Sequence, residues 1–318
     1  MASILVTGAD GFIGSHLVEA LVHRGDDVRA FIRYNSFNSW GWLDTIDDEV
    51  LGAIEIFSGD VRDPNGVREA MRGIDVVYHL AALISIPYSY HSPDTYVDTN
   101  VTGTLNILQA ARDLGTEKVV HTSTSEVYGS AQFVPIAEDH PLQGQSPYAA
   151  SKIGADQMAL SFYRSFDTPV AVIRPFNTYG PFQKTGMAGG VVSIFASRDL
   201  NGEQLKIFGD GTQSRDLLYA TDCAEFIVEG TFCKEATGEV LNAGTGSDIS
   251  INDLAELVAT GDTEITHVEH HHPQSEIQKL EADPSKAKEL LDWEPKTHGD
   301  GEASGDDESR APSAWLGT

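Results

Sequence analysis

Three glycines near the start, Gly8, Gly11 and Gly14, constrain this chain more than any other feature. They follow a short apolar run, Ser3 to Thr7 (S-I-L-V-T), and precede Ser15 to His23, whose apolar residues recur at helical spacing. Strand, glycine turn and helix together are the setting in which such a triad binds a dinucleotide. Gly8 permits the tight turn, Gly11 lets backbone approach a pyrophosphate, and Gly14 lets the helix pack on the strand. Free N–H groups at the helix start, around Phe12 and Ile13, then receive the phosphates, with Asp10 in the same turn. The expected ligand is NAD or NADP.

The segments that follow alternate strand with helix. Asp27 to Arg33 reads as a second strand. An acidic residue at such a strand's end binds a ribose 2′-hydroxyl, whereas an arginine accommodates a 2′-phosphate. Arg33 stands there and tilts the cofactor toward NADP; its other reading is a solvated loop charge. Asn35 to Asp44 (N-S-F-N-S-W-G-W-L-D) is either a packed loop or a lid beside the ligands. Ile54 to Ser58 is a third strand, followed by Asp60 and Val61 and a helix near Gly66 to Arg72. Asp60 is placed to reach an adenine edge or to cap a turn. Val76 to Ala82 reads as a continuous strand whose end, Leu80, Ala81 and Ala82, suits close approach of a cofactor. Ser85 to Ser92 is expected to be a substrate-facing loop, Tyr96 to Leu114 a helix carrying Asn100, and Lys118 to Thr122 a strand. A helix ending near Phe166 and a strand from Val170 to Arg174 continue the pattern. This alternation predicts an α/β fold, a Rossmann-type doubly wound parallel sheet.

Chemistry concentrates after Thr122. Thr124, Ser125 and Glu126 fall where a strand should end, the usual place for reactive groups in an open α/β sheet. Tyr148 and Lys152 lie four apart in S-P-Y-A-A-S-K, so a helix puts them on one face. An ammonium beside a phenol favours the phenolate, which makes Tyr148 a candidate base near neutral pH. Alone, Y-x-x-x-K is an ordinary surface pair; the glycine turn upstream changes that reading.

In the second half, Asn177 is a candidate for a ligand phosphate. Gly209 to Asp216 reads as a glycine loop whose Arg215 could clamp a diphosphate, since a guanidinium pairs well with phosphate oxygens. Leu217 to Phe232 and Val240 to Ala243 are expected to return toward the sheet, and Ala282 to Trp293 to be a helix. His270 to His272 diverge in direction and lack companion ligands, so no metal site is expected. Two cysteines, Cys223 and Cys233, make neither a disulfide framework nor a zinc site. The net charge of -27 excludes nucleic acid and anionic membrane surfaces as partners and looks like adaptation to a salty cytosol. Without a basic, apolar leader pattern or an apolar run of about 18 residues, a soluble cytoplasmic protein is expected. From Thr297 the composition predicts a disordered acidic tail.

The glycine triad, Val127-Tyr128-Gly129, Tyr148-x-x-x-Lys152 and Arg174-Pro175-Phe176-Asn177 together resemble the extended short-chain dehydrogenase/reductases, and within them the nucleotide-sugar epimerase/dehydratase family. The resemblance runs from about Ile4 to Lys296. It implies a cofactor domain over residues 1–175, with sheet elements returning near 217–244, and a substrate domain over 176–296 holding a nucleotide-diphosphate sugar. It implies a tightly bound, recycled NAD or NADP touching Pro175, with Ser85 and His272 on the substrate side, and a homodimer. Thr124 becomes the hydroxyl partner, Tyr148 the base and Lys152 the residue tuning it. Three chemistries share this start: 4,6-dehydration, 4-epimerisation and decarboxylation of a uronate. Glu126 matches the base that takes the C5 proton in dehydratases, although Ser125 stands where glucose-type dehydratases carry Asp. The tryptophan-rich loop, Ser275 to Leu280 and D-P-S-K-A-K-E-L-L-D-W-E-P most resemble dehydratases of UDP-N-acetylglucosamine-type sugars, with His272-Pro273 in place of Arg-Pro. A non-catalytic NAD(P) sensor is the reading from another class.

Overall fold

In the computed structural model, which describes residues 1–186, 189–270, 273 and 276–297, seven parallel strands make the central sheet. The chain enters through β1 (Ser3–Thr7), α1 (Phe12–Arg24), β2 (Asp27–Arg33), α2 (Asp48–Gly52), β3 (Ile54–Gly59), α3 (Pro64–Ala70) and β4 (Val76–His79). It continues through α4 (Ile86–His91), α5 (Pro93–Tyr96), α6 (Gly103–Leu114), β5 (Lys118–Thr122), α7 (Pro147–Phe166), β6 (Val170–Pro175) and β7 (Asn177–Tyr179). Then come α8 (Val191–Leu200), β8 (Leu205–Phe208), β9 (Ser214–Tyr219), α9 (Ala220–Phe232), β10 (Val240–Ala243) and β11 (Asp248–Ser250). The last elements are α10 (Ile251–Val258), β12 (Ile265–Val268), β13 (Lys279–Leu280) and α11 (Ser285–Leu291).

The sheet order is β10-β6-β5-β4-β1-β2-β3. Strands buried on both faces must be apolar throughout, which is why these runs lack polar alternation. Side chains still divide by period two: Ile4 and Val6 join the core under α1 and α9, whereas Leu5 joins the core under α3, α6 and α7. The chain runs from β1 outward to β3, then restarts at β4 on β1's other side. That reversal opens a crevice at the carboxyl ends of β1 and β4, where ligands bind in folds of this class.

A second group of strands gathers around β9, which pairs with β11, β13 and β7, while β12 pairs with β8. Its own core includes Tyr179, Phe195, Leu205, Leu217, Ile251 and Leu254. Val240 to Ala243 rejoin the main sheet as β10 beside β6, and α9 packs on the core of that sheet, whereas Leu217 to Tyr219 belong to β9 in the smaller sheet. Arg215 lies in β9 rather than in a loop, because Asp248 to Ser250 pair with that segment. The strand expected over Val76 to Ala82 stops at His79, where the chain bends toward Gly8. The loop expected at Ser85 to Ser92 folds as α4, with proline in its first turn. The last helix is shorter than expected because Pro284 opens it. The expected tail lies outside the described residues except Thr297, which is buried; its amide and that of Lys296 donate to Asp222 Oδ2 at 2.8 and 3.1 Å. Among the described residues no helix is long and apolar enough to cross a membrane.

The glycine turn leaves no room for side chains. A Cβ on Gly14 would stand 2.1 Å from the Gly8 carbonyl oxygen, a backbone atom that cannot step aside. Gly14→Ala is therefore expected to destabilise the ligand-free protein by about 3 kcal/mol, read as a lowered urea midpoint. An unchanged midpoint would show that the turn has slack this packing does not reveal.

Candidate active site

On the cofactor side of the crevice, Gly11 caps α1 with extended backbone, no side-chain cap and no acid in the first turn. The first-turn amides of a helix lack intrahelical partners, so those of Phe12 and Ile13 are free to receive an anion, and the helix dipole would add to the attraction. Gly8, at φ 72°, packs so closely on Ala81 that a Cβ would lie 2.9 Å from its amide nitrogen. Ala81 N–H donates to Thr7 Oγ1 at 3.2 Å, which fixes Leu80, Ala81 and Ala82 beside the turn. This bare, amide-lined cradle fits a dinucleotide pyrophosphate. Asp10 takes a hydrogen bond from the Arg33 amide; burial raises its carboxyl pKa, against the pull of backbone bonds and of Lys184 and Arg33. The Arg33 side chain itself is exposed. Asp60 serves its own turn: it accepts from Arg62 N and Nε, both at 2.9 Å, and that guanidinium lowers its pKa. Val61 is buried, its carbonyl taken by Asn106 at 2.9 Å. Pro175 ends β6, opposite Ala243.

The tryptophan loop closes over this turn. Trp42 N–H donates to the Asp10 carbonyl at 3.2 Å, and the Trp42 ring stacks on Phe182 at 5.2 Å. Phe182 in turn stacks on His16 of α1, also at 5.2 Å, and holds a left-handed φ of 68° to do so. A bulky residue at that φ is strained, so the stack offsets a backbone cost. The sequence showed the loop's composition but not this partner at Phe182, 140 positions downstream of Trp42.

The reactive side chains come from β5, the turn after it, and α7. Ser146 caps α7 by accepting from Ala149 N at 3.1 Å, and Pro147 follows at the first helical position. Tyr148 and Lys152 then face inward one turn apart, both buried. Lys152 Nζ donates to the Thr122 carbonyl at 2.7 Å. Burial pushes Lys152 down to about 8, with Asp156 opposing the shift. The Tyr148 hydroxyl hydrogen-bonds the Thr124 side chain. Against the expected lowering of Tyr148 by its lysine, burial raises the phenol above its ordinary value in the ligand-free protein; Glu126, Asp156 and Tyr96 add to the rise and Thr124 pulls it down. Asn100 sits in a π-helical turn, Val97–Thr102, between α5 and α6. It accepts from Leu83 N at 2.8 Å and donates to Ser151 Oγ at 2.9 Å, bracing α7 against the loop after β4.

Thr124 also accepts from Glu126 N–H at 3.2 Å, starting the tight turn Ser125–Tyr128. Ser125 is buried and Glu126 half-buried. Burial raises the Glu126 pKa; Arg215 lowers it and Glu276 raises it. Arg215, the candidate clamp, is already engaged: it donates to Glu276 at 2.6 Å and to the carbonyls of Ser214 and Ile277 at 2.8 and 2.7 Å. His270 pairs with the same Glu276 at 2.8 Å. Glu276 was missed in the sequence, where only its distance of 61 positions from Arg215 was visible. Asn177 Oδ1 is buried without a hydrogen-bond partner among the described residues, so a ligand group would satisfy it. The Ser85 carbonyl accepts from Tyr96 Oη at 2.5 Å, placing the start of α4 near Tyr148, whose ring meets Tyr96 edge-on at 6.3 Å. His272 lies outside the described residues.

Comparison with known proteins places this arrangement. A relative from Bacillus cytotoxicus, a UDP-N-acetyl-α-D-glucosaminuronate decarboxylase, is 33% identical, with 92% of each chain covered. A dTDP-glucose 4,6-dehydratase from Streptomyces antibioticus is 36% identical over 80% of this chain and 76% of its own. Among solved structures, Pal from Bacillus thuringiensis superposes with a TM-score of 0.87 at 44% identity, covering 94% of this chain and 95% of its own. UDP-glucuronic acid 4-epimerase from Bacillus cereus, in complex with UDP-glucuronic acid and NAD, gives 0.82 at 30% identity, covering 92% and 94%. The sequence model described as GDP-mannose 4,6 dehydratase matches residues 5–301, nearly the whole length, and the chain belongs to that family of nucleotide-sugar epimerases, dehydratases and decarboxylases.

Proposed function

We propose that this protein is a nucleotide-sugar 4,6-dehydratase acting on UDP-N-acetylglucosamine and releasing a 4-keto-6-deoxy sugar. The observation that carries the reading is Glu126, in the tight turn that Thr124 opens at the end of β5, with its pKa raised by burial. In the proposed reaction Tyr148 takes the proton of the sugar 4-hydroxyl while Thr124 holds that oxygen, and the Lys152 ammonium offsets the charge left on the phenol. A dinucleotide held by its pyrophosphate at the glycine turn would supply the reversible hydride acceptor, and the positive charge of its oxidised nicotinamide would favour the phenolate. The C4 ketone acidifies C5–H; Glu126 removes that proton and the C6 hydroxyl departs with a proton as water, after which the stored hydride would return to C6 and a proton to C5, leaving the cofactor as it began. A 4-epimerase needs no such carboxylate.

Charge in the cleft also favours a neutral sugar over a uronate. Glu126 and Glu276 lie within electrostatic reach of each other, and the cation beside them, Arg215, is already paired with Glu276. A substrate carboxylate beside Glu126 would therefore be repelled by two carboxylates, with Arg215 already engaged. We read residues 1–175 as the cofactor part and 176–296 as the sugar part, Arg33 as a 2′-phosphate contact favouring NADP, and the acidic surface as salt adaptation of a cytoplasmic homodimer. The test is product mass: in high KCl the protein is expected to remove one water from UDP-N-acetylglucosamine without consuming added cofactor. Loss of carbon dioxide from UDP-glucuronate, or a mass-neutral change at C4 of UDP-glucose, would replace the reading with decarboxylase or epimerase.

A further inference from the structure

We propose that Asp156 is a positioning residue of this site, keeping the Lys152 ammonium charged, and that Arg174 sets how much of that carboxylate Lys152 feels. Asp156 follows Lys152 by one turn of α7, so the two side chains share a helix face. Lys152 is 4% exposed and Asp156 is fully buried. Among the described residues the ammonium donates to a neutral carbonyl, that of Thr122. A lone buried ammonium is costly, and burial ordinarily drives it toward the neutral amine.

His79 of β4, His121 of β5 and Asp156 of α7 act on Lys152 directly; Arg174 of β6 acts on Asp156, and Tyr148, one turn before Lys152 on α7, also feels Glu126 in the turn after β5. Burial keeps both histidines neutral, His121 at about 4 and His79 well below its ordinary value. Burial also raises the Tyr148 phenol. Among the groups acting on Lys152 directly, Asp156 is thus the one negative charge at neutral pH, against the two positive ones of Lys152 and Arg174. Its oxygens are divided: Oδ2 lies 3.1 Å from both Nε and a terminal nitrogen of Arg174, and Oδ1 lies 3.3 Å from His121 Nε2. Arg174 is held in turn by Tyr128, whose hydroxyl accepts from it at 2.9 Å and donates to Asn242 Oδ1 at 2.6 Å. An ion pair serving only the packing would end at Arg174; this carboxylate also stands one turn behind the charged group of the site, so its charge acts on both cations.

The inference rests on Tyr148 and Lys152 as the reactive pair, and its primary test needs no substrate. Full-length protein labelled with 13C at lysine Cε is titrated by NMR, with the Lys152 signal identified by its loss in Lys152→Met. A midpoint near 8 is expected for the unaltered protein. Asp156→Asn should lower it by about one unit or more, a tenfold change in the proton equilibrium, and Asp156→Glu should bring it back. Arg174→Met should raise it, because the carboxylate is then left to Lys152. Midpoints that stay put in both Asp156→Asn and Arg174→Met would overturn the proposal. If Asp156→Asn does not fold, the upward shift in Arg174→Met decides alone. Turnover separates the two layers: NMR shifts of the expected sign without turnover on any nucleotide-diphosphate sugar would uphold the electrostatic role and sink the catalytic reading beneath it.

Discussion

Replacing Tyr148 with phenylalanine is expected to lower turnover on a nucleotide-diphosphate sugar by about 10²- to 10⁴-fold, the usual worth of a positioned acid–base group. The phenyl ring keeps the edge-on contact with Tyr96, so the fold and cofactor binding should be nearly unchanged. What is lost is the hydroxyl that Thr124 holds. Because burial raises the phenol in the ligand-free protein, its proton must leave once the cofactor's positive charge adds to that of the Lys152 ammonium, before the phenolate can take a proton from the sugar. Activity of the parent should therefore rise with pH on its acid side, and Tyr148→Phe should flatten that rise. Turnover within threefold of the parent would remove Tyr148 from the chemistry and with it the reading of the whole cleft.

The second large effect belongs to Glu126→Gln. If Glu126 takes the C5 proton, the amide should cut water loss by about 10²- to 10⁴-fold, or roughly 3–5 kcal/mol of barrier. Incorporation of solvent deuterium at C5 should fall in parallel. The sign of the pH effect follows from the raised pKa of Glu126. As a base it works only when ionised, so dehydration should fail on acidification at a pH above the ordinary glutamate value. Glu126→Gln should abolish that dependence. A variant that still dehydrates at the parent rate would remove Glu126 from the chemistry and assign the C5 proton to another base of the cleft.

The local features were legible in the order of the residues. The glycine triad between Thr7 and Ser15 can be satisfied only by a strand, a tight turn and a helix, because the steric limits at Gly8 and Gly14 act between atoms a few residues apart. Likewise Tyr148 and Lys152 share a face once α7 is helical, and the helix follows from Ser146, Pro147 and the periodicity behind them. The continuous apolar strands implied a parallel sheet covered on both sides, and hence a crevice beside Gly8.

What spacing could not supply is the company these residues keep. Glu276 reaches Arg215 across 61 positions, Arg174 meets Asp156 across 18, and the Trp42 ring finds Phe182 only when two distant loops converge. Charge followed the same rule. From the sequence, Lys152 should have lowered the Tyr148 phenol; in the folded protein burial raises it and depresses the lysine instead. The chain by itself determined which groups stand at the carboxyl ends of β1, β4 and β5, because steric and periodic constraints are local. Only the tertiary structure decided their protonation and pairing, because desolvation and Coulomb forces depend on everything packed within a few ångströms, wherever it lies in the chain.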